Sequence, residues 1–223
     1  MTRDICRKTI LKTAGVSILA ILFYTGCEEN GVKVVTPEVR TFTDNRDGRT
    51  YKEVTIGEQR WMAENLKYAA DGGVCYYQSW SHRTPEQNCE EYGRLYDWNA
   101  AMNEESSSNT NPSGVEGVCP VGWHLPSDAE WTELIDYVGI NAGTKLKSRT
   151  FKGDIPLKRP DGTDNYRFSA LDGPWASFWW SSTERESNGS EAWYRWTTRS
   201  DVSVFRASYD KHKYFLSVRC VHD

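Results

Sequence analysis

The 223-residue chain carries 27 basic and 31 acidic residues, a net charge of −4, so it has no excess of positive charge to meet a nucleic-acid backbone. Its 4 histidines are scattered and its 6 cysteines include no close Cys-x-x-Cys pair, which argues against a structural zinc site. Aromatic residues make up 13% of the chain, with 10 tryptophans and 12 tyrosines, and they dominate the rest of the reading.

The first element is a leader. Arg3, Arg7, Lys8 and Lys12 precede an apolar run from Ala14 to Tyr24, which stops at Tyr24-Thr25-Gly26-Cys27. A basic head, an apolar middle and small residues before a cysteine resemble a lipoprotein signal peptide, with Cys27 as the acylated residue. The run is shorter than the ~20 residues that span a hydrocarbon core, which disfavours a permanent transmembrane helix. Acyl chains on Cys27, at about 0.8 kcal/mol per buried methylene, suffice as an anchor. Cleavage after residue 26 removes four basic residues and Asp4, which leaves 23 basic against 30 acidic residues and a charge of −7. Residues 27–40 have few large apolar side chains and read as a tether, and residues 41–223 as one domain with a real core.

Within the domain, Thr50 to Ile56 alternates polar and apolar, Gly57-Glu58 supplies a turn, and Gln59 to Met62 returns, which predicts a hairpin. A strand-like Gly93 to Tyr96 is followed by a short helix from Asp97 to Met102, capped by the aspartate. Ser127 and Glu130 form a capping box, Trp131, Leu134, Ile135 and Val138 recur at helical spacing, and Gly139 closes that helix. Asp128 and Glu130 sit in its first turn, where the helix dipole favours negative charge without any catalytic role. From Arg149 to Tyr166, Gly153, Pro156, Pro160 and Gly162 break any periodicity, so a long surface loop is expected. Phe178 to Thr183, Ala192 to Trp196, Val202 to Ser208 and Tyr214 to Val221 then predict a meander of strands. Strands, helices and strands in blocks indicate an α+β fold, not a doubly wound parallel sheet.

With Cys6 lost in the leader and Cys27 acylated, Cys75, Cys89, Cys119 and Cys220 remain, and an even count in an oxidising compartment reads as disulfides. Three pairings are possible. Cys75–Cys89 with Cys119–Cys220 is favoured: the first pair flanks a polar, turn-rich loop (Ser79, His82, Pro85, Asn88), and the second ties the chain end to the middle.

Val54-Thr55-Ile56-Gly57, Gln59 to Leu66 and Tyr92 to Trp98 resemble the opening of the Fibrobacter succinogenes major paralogous domain. Cys119 to Trp131, Phe168 to Leu171, Trp180 to Thr183 and Ser217 to Val221 match the remainder of its pattern. The resemblance runs from about Thr41 to the C-terminus. It implies a C-type-lectin-like α+β fold, with a few short helices, a mostly antiparallel twisted sheet and long loops, distantly similar to formylglycine-generating domains. It implies no established activity. Phe215 stands where the family pattern has a glycine, and Pro174-Trp175 replaces a glycine-rich stretch, so turns are expected to differ there.

Trp61, Trp98, Trp123, Trp131 and Trp180 fall in these motifs or in periodic patterns and are expected in the core. Trp80, Trp175, Trp193, Trp196 and Tyr209 lie outside them and are the candidate binding residues, since flat rings with polar edges suit sugars and interfaces. Tyr194 is expected to accompany one of its two tryptophan neighbours. No catalytic residue is assigned: no Ser-His-Asp motif is visible, and Cys220 lacks the nearby second cysteine with which formylglycine-generating enzymes hold copper. No cofactor is expected. The alternative is a structural calcium near Asp154, Asp161, Asp164 and Asp172, although the Glu-Pro-Asn, Gln-Pro-Asp and Trp-Asn-Asp signatures of sugar-binding lectins are absent. The sequence therefore predicts an exported, lipid-anchored outer-membrane or cell-surface protein. Its domain is expected to bind polysaccharide or an envelope protein, or to serve as a scaffold.

Overall fold

The period of two from Thr50 to Ile56 points Val54 and Ile56 to one face of the strand and Tyr51 to the other, and both faces are buried, each in its own hydrophobic cluster. The computed structural model describes residues 36–76, 83–149, 162–170, 176–185, 189–198 and 200–223. β1 (Val39–Asp44), β2 (Arg49–Ile56) and β3 (Gln59–Met62) pair antiparallel in succession. β1 starts inside the stretch assigned to the tether: Phe42 lies opposite Tyr51 and stacks on Trp123 at 4.2 Å, a cross-strand contact that periodicity does not announce.

Next come β4 (Gly73–Val74), α1 (Pro85–Tyr92), β5 (Leu95–Tyr96), α2 (Trp98–Met102) and β6 (Trp123–His124). α1 takes the last four residues, 85–88, of what the sequence presents as a turn-rich loop between Cys75 and Cys89. Pro85 is its first helical residue, and Thr84 and Gln87 form a reciprocal capping box, so residues that read as turn formers open a helix. Asp97 caps α2 as expected, accepting from the Ala100 N–H at 2.7 Å. α3 (Asp128–Val138) has the Ser127–Glu130 capping box and ends at Gly139, and α4 (Ala142–Leu146) follows.

β7 (Ala176–Glu184), β8 (Glu191–Thr198) and β9 (Phe205–Asp210) form the antiparallel meander. β9 begins three residues later than the sequence pattern suggests. The Val202 and Ser203 carbonyls instead accept from the Thr144 N–H and the Thr197 hydroxyl, which tie that segment to α4 and to β8. The closing Tyr214–Val221 stretch is not one strand. It splits into β10 (Leu216–Ser217) and β11 (Val221–His222), which belong to different sheets. The strand orders are β1-β2-β3-β11-β6 and β4-β5-β10-β7-β8-β9, antiparallel except where β10 runs parallel to β7. The fold is α+β, with few short helices, antiparallel-rich sheets and two disulfides.

Two hydrophobic clusters fill the compact unit Pro37–Asp223. One gathers Tyr96, Trp98, Trp123 and Trp180 around the Cys119–Cys220 disulfide. In the other, Trp61, Trp131, Trp179 and Phe168 meet ring to ring at 4.6–6.1 Å. The five motif tryptophans are all buried. Arg219, in the crossover between the sheets, is wholly buried against Phe168 and Trp179. Burial pushes its pKa down to about 9, which still leaves it charged at neutral pH. Asn65 holds it: the Asn65 Oδ1 accepts from Arg219 Nε (3.0 Å), Arg219 Nη2 (2.8 Å) and the Trp179 indole (2.9 Å). The other disulfide, Cys75–Cys89, joins the segment after β4 to α1.

Candidate functional site

Strand β8 separates the sequence-predicted residues by its period of two. Trp193 and Arg195 point to one face of the second sheet, whereas Ala192, Tyr194 and Trp196 point to the other. Tyr194 therefore accompanies Trp196, and Trp193 stands apart.

On the Trp193 face, charge is closely paired. The Arg206 guanidinium lies 3.3 Å from the Trp193 ring centre, and its Nε donates to Asp128 Oδ2 at 2.8 Å. Arg195, almost fully buried, donates to Asp128 Oδ1 at 2.7 Å, and burial lowers its pKa despite that partner. Asp128 is thus held by two arginines from β8 and β9. The first-turn position explains only part of its placement, because the sheet supplies the rest. Glu191 accepts from the Ser208 hydroxyl (2.7 Å) and from Arg185 (2.8 Å), and these bonds hold its carboxyl below the usual range.

Glu130 has a similar role in the interior. It accepts from the Ser113 and Ser127 backbone N–H groups and sits 2.6 Å from Nε2 of the buried His124, whose Nδ1 is 2.7 Å from Asp223. Burial opposes the imidazolium. The hydrogen bond and charge of Glu130, followed by those of Asp223, outweigh it and raise the His124 pKa above its ordinary value. Both ring nitrogens are committed to carboxylates.

The opposite face of the sheet is aromatic: Trp180, Ala192 and Tyr194 on it are buried in the cluster of Trp98 and Trp123, and Phe178, Trp196 and Tyr209 are half-buried. Rings run from Phe205 through Trp196 (4.7 Å), Phe178 (6.2 Å), Tyr194 (6.0 Å) and Tyr209 (4.3 Å) to Tyr214 (4.0 Å). Burial, followed by a hydrogen bond to Tyr209, raises the Tyr194 phenol above its ordinary pKa. At the Tyr209 end the stack borders a cleft of about 300 Å³. Phe178, Tyr209, Tyr214 and Phe215 line it together with a tyrosine side of Tyr76 and Tyr92, and its polar side chains Asn65, Ser177 and Ser217 are buried, Asn65 being committed to Arg219 and Trp179. Tyr214 is 44% exposed and Phe215 39%. The Cys75–Cys89 bond braces the tyrosine side: Tyr76 follows Cys75, α1 carries Cys89 and Tyr92, and Asn88 Nδ2 donates to the Tyr76 carbonyl at 2.8 Å. Gly93 is required there, because its φ is +84° and a Cβ would come 2.6 Å from the Asn65 Cβ.

Of the candidates, Tyr209 lines the cleft, Trp196 lies farther along the same ring stack, and Trp193 lies on the other face beneath Arg206. Trp80 and Trp175 lie outside the described residues, as do Cys27, Asp154, Asp161 and Asp172. Asp164 is buried and accepts from the Ser169 N–H (2.8 Å) and hydroxyl (2.9 Å). Sequence reasoning passed over Tyr214 and Phe215 as candidates. The available signal was two adjacent aromatics in a polar turn, at a point where the family pattern has glycine.

The described residues form a disulfide-stapled α+β domain with an aromatic cleft lined by β5, β7, β9 and β10 of its larger sheet. The chain belongs to the Fibrobacter succinogenes major domain family, whose model matches residues 54–222. No curated protein and no solved structure matches it.

Proposed function

We propose that the chain is an exported, lipid-anchored envelope protein whose domain is a non-catalytic interaction module of the C-type-lectin-like kind. Its binding surface is the aromatic cleft, and its ligand a glycan or an envelope protein. The observation that carries this reading is the contrast in ring exposure: Tyr214 and Phe215 stay open to solvent beside a cleft, in a domain whose motif tryptophans are all buried. Large, rigid, amphipathic rings at a concave site are the common currency of recognition. Two disulfides favour an oxidising compartment, in keeping with a leader that ends at Cys27. Cys220 is bonded to Cys119 and has no free thiol for copper-dependent chemistry.

The test is retention of the purified full chain on beads carrying envelope polysaccharides and on beads carrying outer-membrane protein. Wild type is retained on one of them, and a Tyr214→Ala/Phe215→Ala variant with an unchanged melting temperature is not. Absence of wild-type retention on both sets would reject the module in favour of a scaffold without a ligand.

A further inference from the structure

We infer that the cleft takes an uncharged saccharide, one or two pyranose rings of a neutral glycan, and takes it without calcium. This inference rests on the binding role proposed above and specifies its ligand. Among the described residues that line the cleft there is no Asp, Glu, Lys, Arg or His. A uronate or a sulfated sugar entering it would lose water from its charge and find no cation in return, a cost that selects against anionic ligands. A cationic ligand meets the same obstacle, since the described lining residues include no carboxylate.

What the lining does supply is flat apolar area with hydroxyl edges. Tyr209 and Tyr214 stack at 4.0 Å with only 12° between their planes, so one face of Tyr214 is backed by Tyr209 and the ring forms a supported platform at the mouth. A pyranose ring has an axial C–H face that packs on such a platform and equatorial hydroxyls that seek donors and acceptors at its edge. The phenol of the exposed Tyr214 belongs to that class of partner, whereas the Ser177 and Ser217 side chains in the lining are almost wholly buried and Ser217 Oγ accepts from Asn65 Nδ2 at 3.3 Å. The volume of about 300 Å³ is at the lower end of small-ligand sites, which suits one or two sugar rings. A protein partner would need a broader contact, on the order of 800 Å² from each side. Coordination of sugar hydroxyls through calcium requires carboxylate or carbonyl oxygens clustered at the ligand, and the described lining has no carboxylate to contribute.

The experiment titrates the full chain with neutral hexasaccharides of glucose, mannose and galactose, and with hexagalacturonate, each with and without EDTA, following heat and tyrosine fluorescence. Binding of at least one neutral hexasaccharide is expected, unchanged by EDTA. Tyr214→Ala should weaken it about tenfold or more, the scale of a lost stacking contact, while Tyr214→Phe, which keeps the ring, loses much less. Melting temperatures within a degree or two of wild type confirm that these variants are folded. Binding of hexagalacturonate alone, abolished by Tyr214→Ala, would overturn the neutral class while leaving the cleft as the binding site. Neutral binding that EDTA removes, or that Tyr214→Ala leaves intact, would overturn the inference. Absence of all four interactions would also overturn it, and the bead assay then decides separately whether a protein occupies the cleft.

Discussion

Around Trp61, Trp131 and Trp179 every ring meets another ring, whereas along Phe178, Tyr209 and Tyr214 the stack runs out into solvent at a cleft. Indole polarity is handled accordingly. Trp61 donates to Gln59, Trp98 to the Ser181 carbonyl, Trp131 to the Trp180 carbonyl, Trp179 to Asn65 and Trp180 to the Tyr96 carbonyl. A ring whose polar edge is already bonded and whose faces are packed contributes stability and has nothing left for a ligand. The comparison teaches that ring abundance alone singles out no surface: the buried rings commit faces and edges to the core, whereas Tyr214 and Phe215 keep ring area exposed beside the cleft.

Three experiments break or sharpen this contrast. The largest effect is expected from removing the Cys119–Cys220 disulfide, which spans 101 residues and lies in the buried cluster. A Cys119→Ala/Cys220→Ala variant should lose about 4–5 kcal/mol of unfolding free energy in urea titration, against about 3 for the loop of ~15 residues closed by Cys75–Cys89. Equal losses would mean that the closed half is no more dependent on its staple than the cleft rim. Asn65→Ala comes next. It strips the shared acceptor from the buried Arg219 and from Trp179, and a loss of about 3 kcal/mol is expected, since hydrogen bonds to a buried charge are among the costly ones to leave unmade. A loss as small as that of Tyr214→Ala would erase the distinction between the closed core and the open stack.

The smallest effect concerns His124, and it depends on pH. Its folded pKa is raised, so the stabilisation it contributes is fully present below the unfolded value of about 6.5 and is lost as pH rises through the folded pKa. The melting temperature of wild type should decline across that window, and His124→Gln should flatten the decline. An identical profile in the variant would show that the imidazole between Glu130 and Asp223 does not titrate with folding.

Local chemistry made much of this legible. The hairpin, the aspartate cap of α2, and both ends of α3 follow from side chains within a few residues of the backbone groups they satisfy. Where residues form elements through distant partners, the reading fell short. α1 is a different case, since its Thr84–Gln87 capping box and first-turn proline are as local as the box of α3, and it escapes a sequence reading because Pro85 and Asn88 suit turns equally well. Asp128 looked like a dipole-placed carboxylate until β8 and β9 brought Arg195 and Arg206 to it. The cleft was visible only through Tyr209, since its other rings come from β7, α1, the residue after Cys75 and the turn before β10.

The sequence by itself determined the family, the α+β class and the tryptophans of the core, because these depend on motif, block order and periodicity along the chain. Only the tertiary structure decided which rings face each other. A strand's alternation says that Trp193 and Trp196 point oppositely, but it does not say which side is covered. That is settled by what the rest of the chain packs there: α3 and its arginine-held Asp128 on one face, and on the other the Trp98 and Trp180 cluster, which covers Ala192 and Tyr194 but leaves the Tyr214 end of the stack exposed at the cleft.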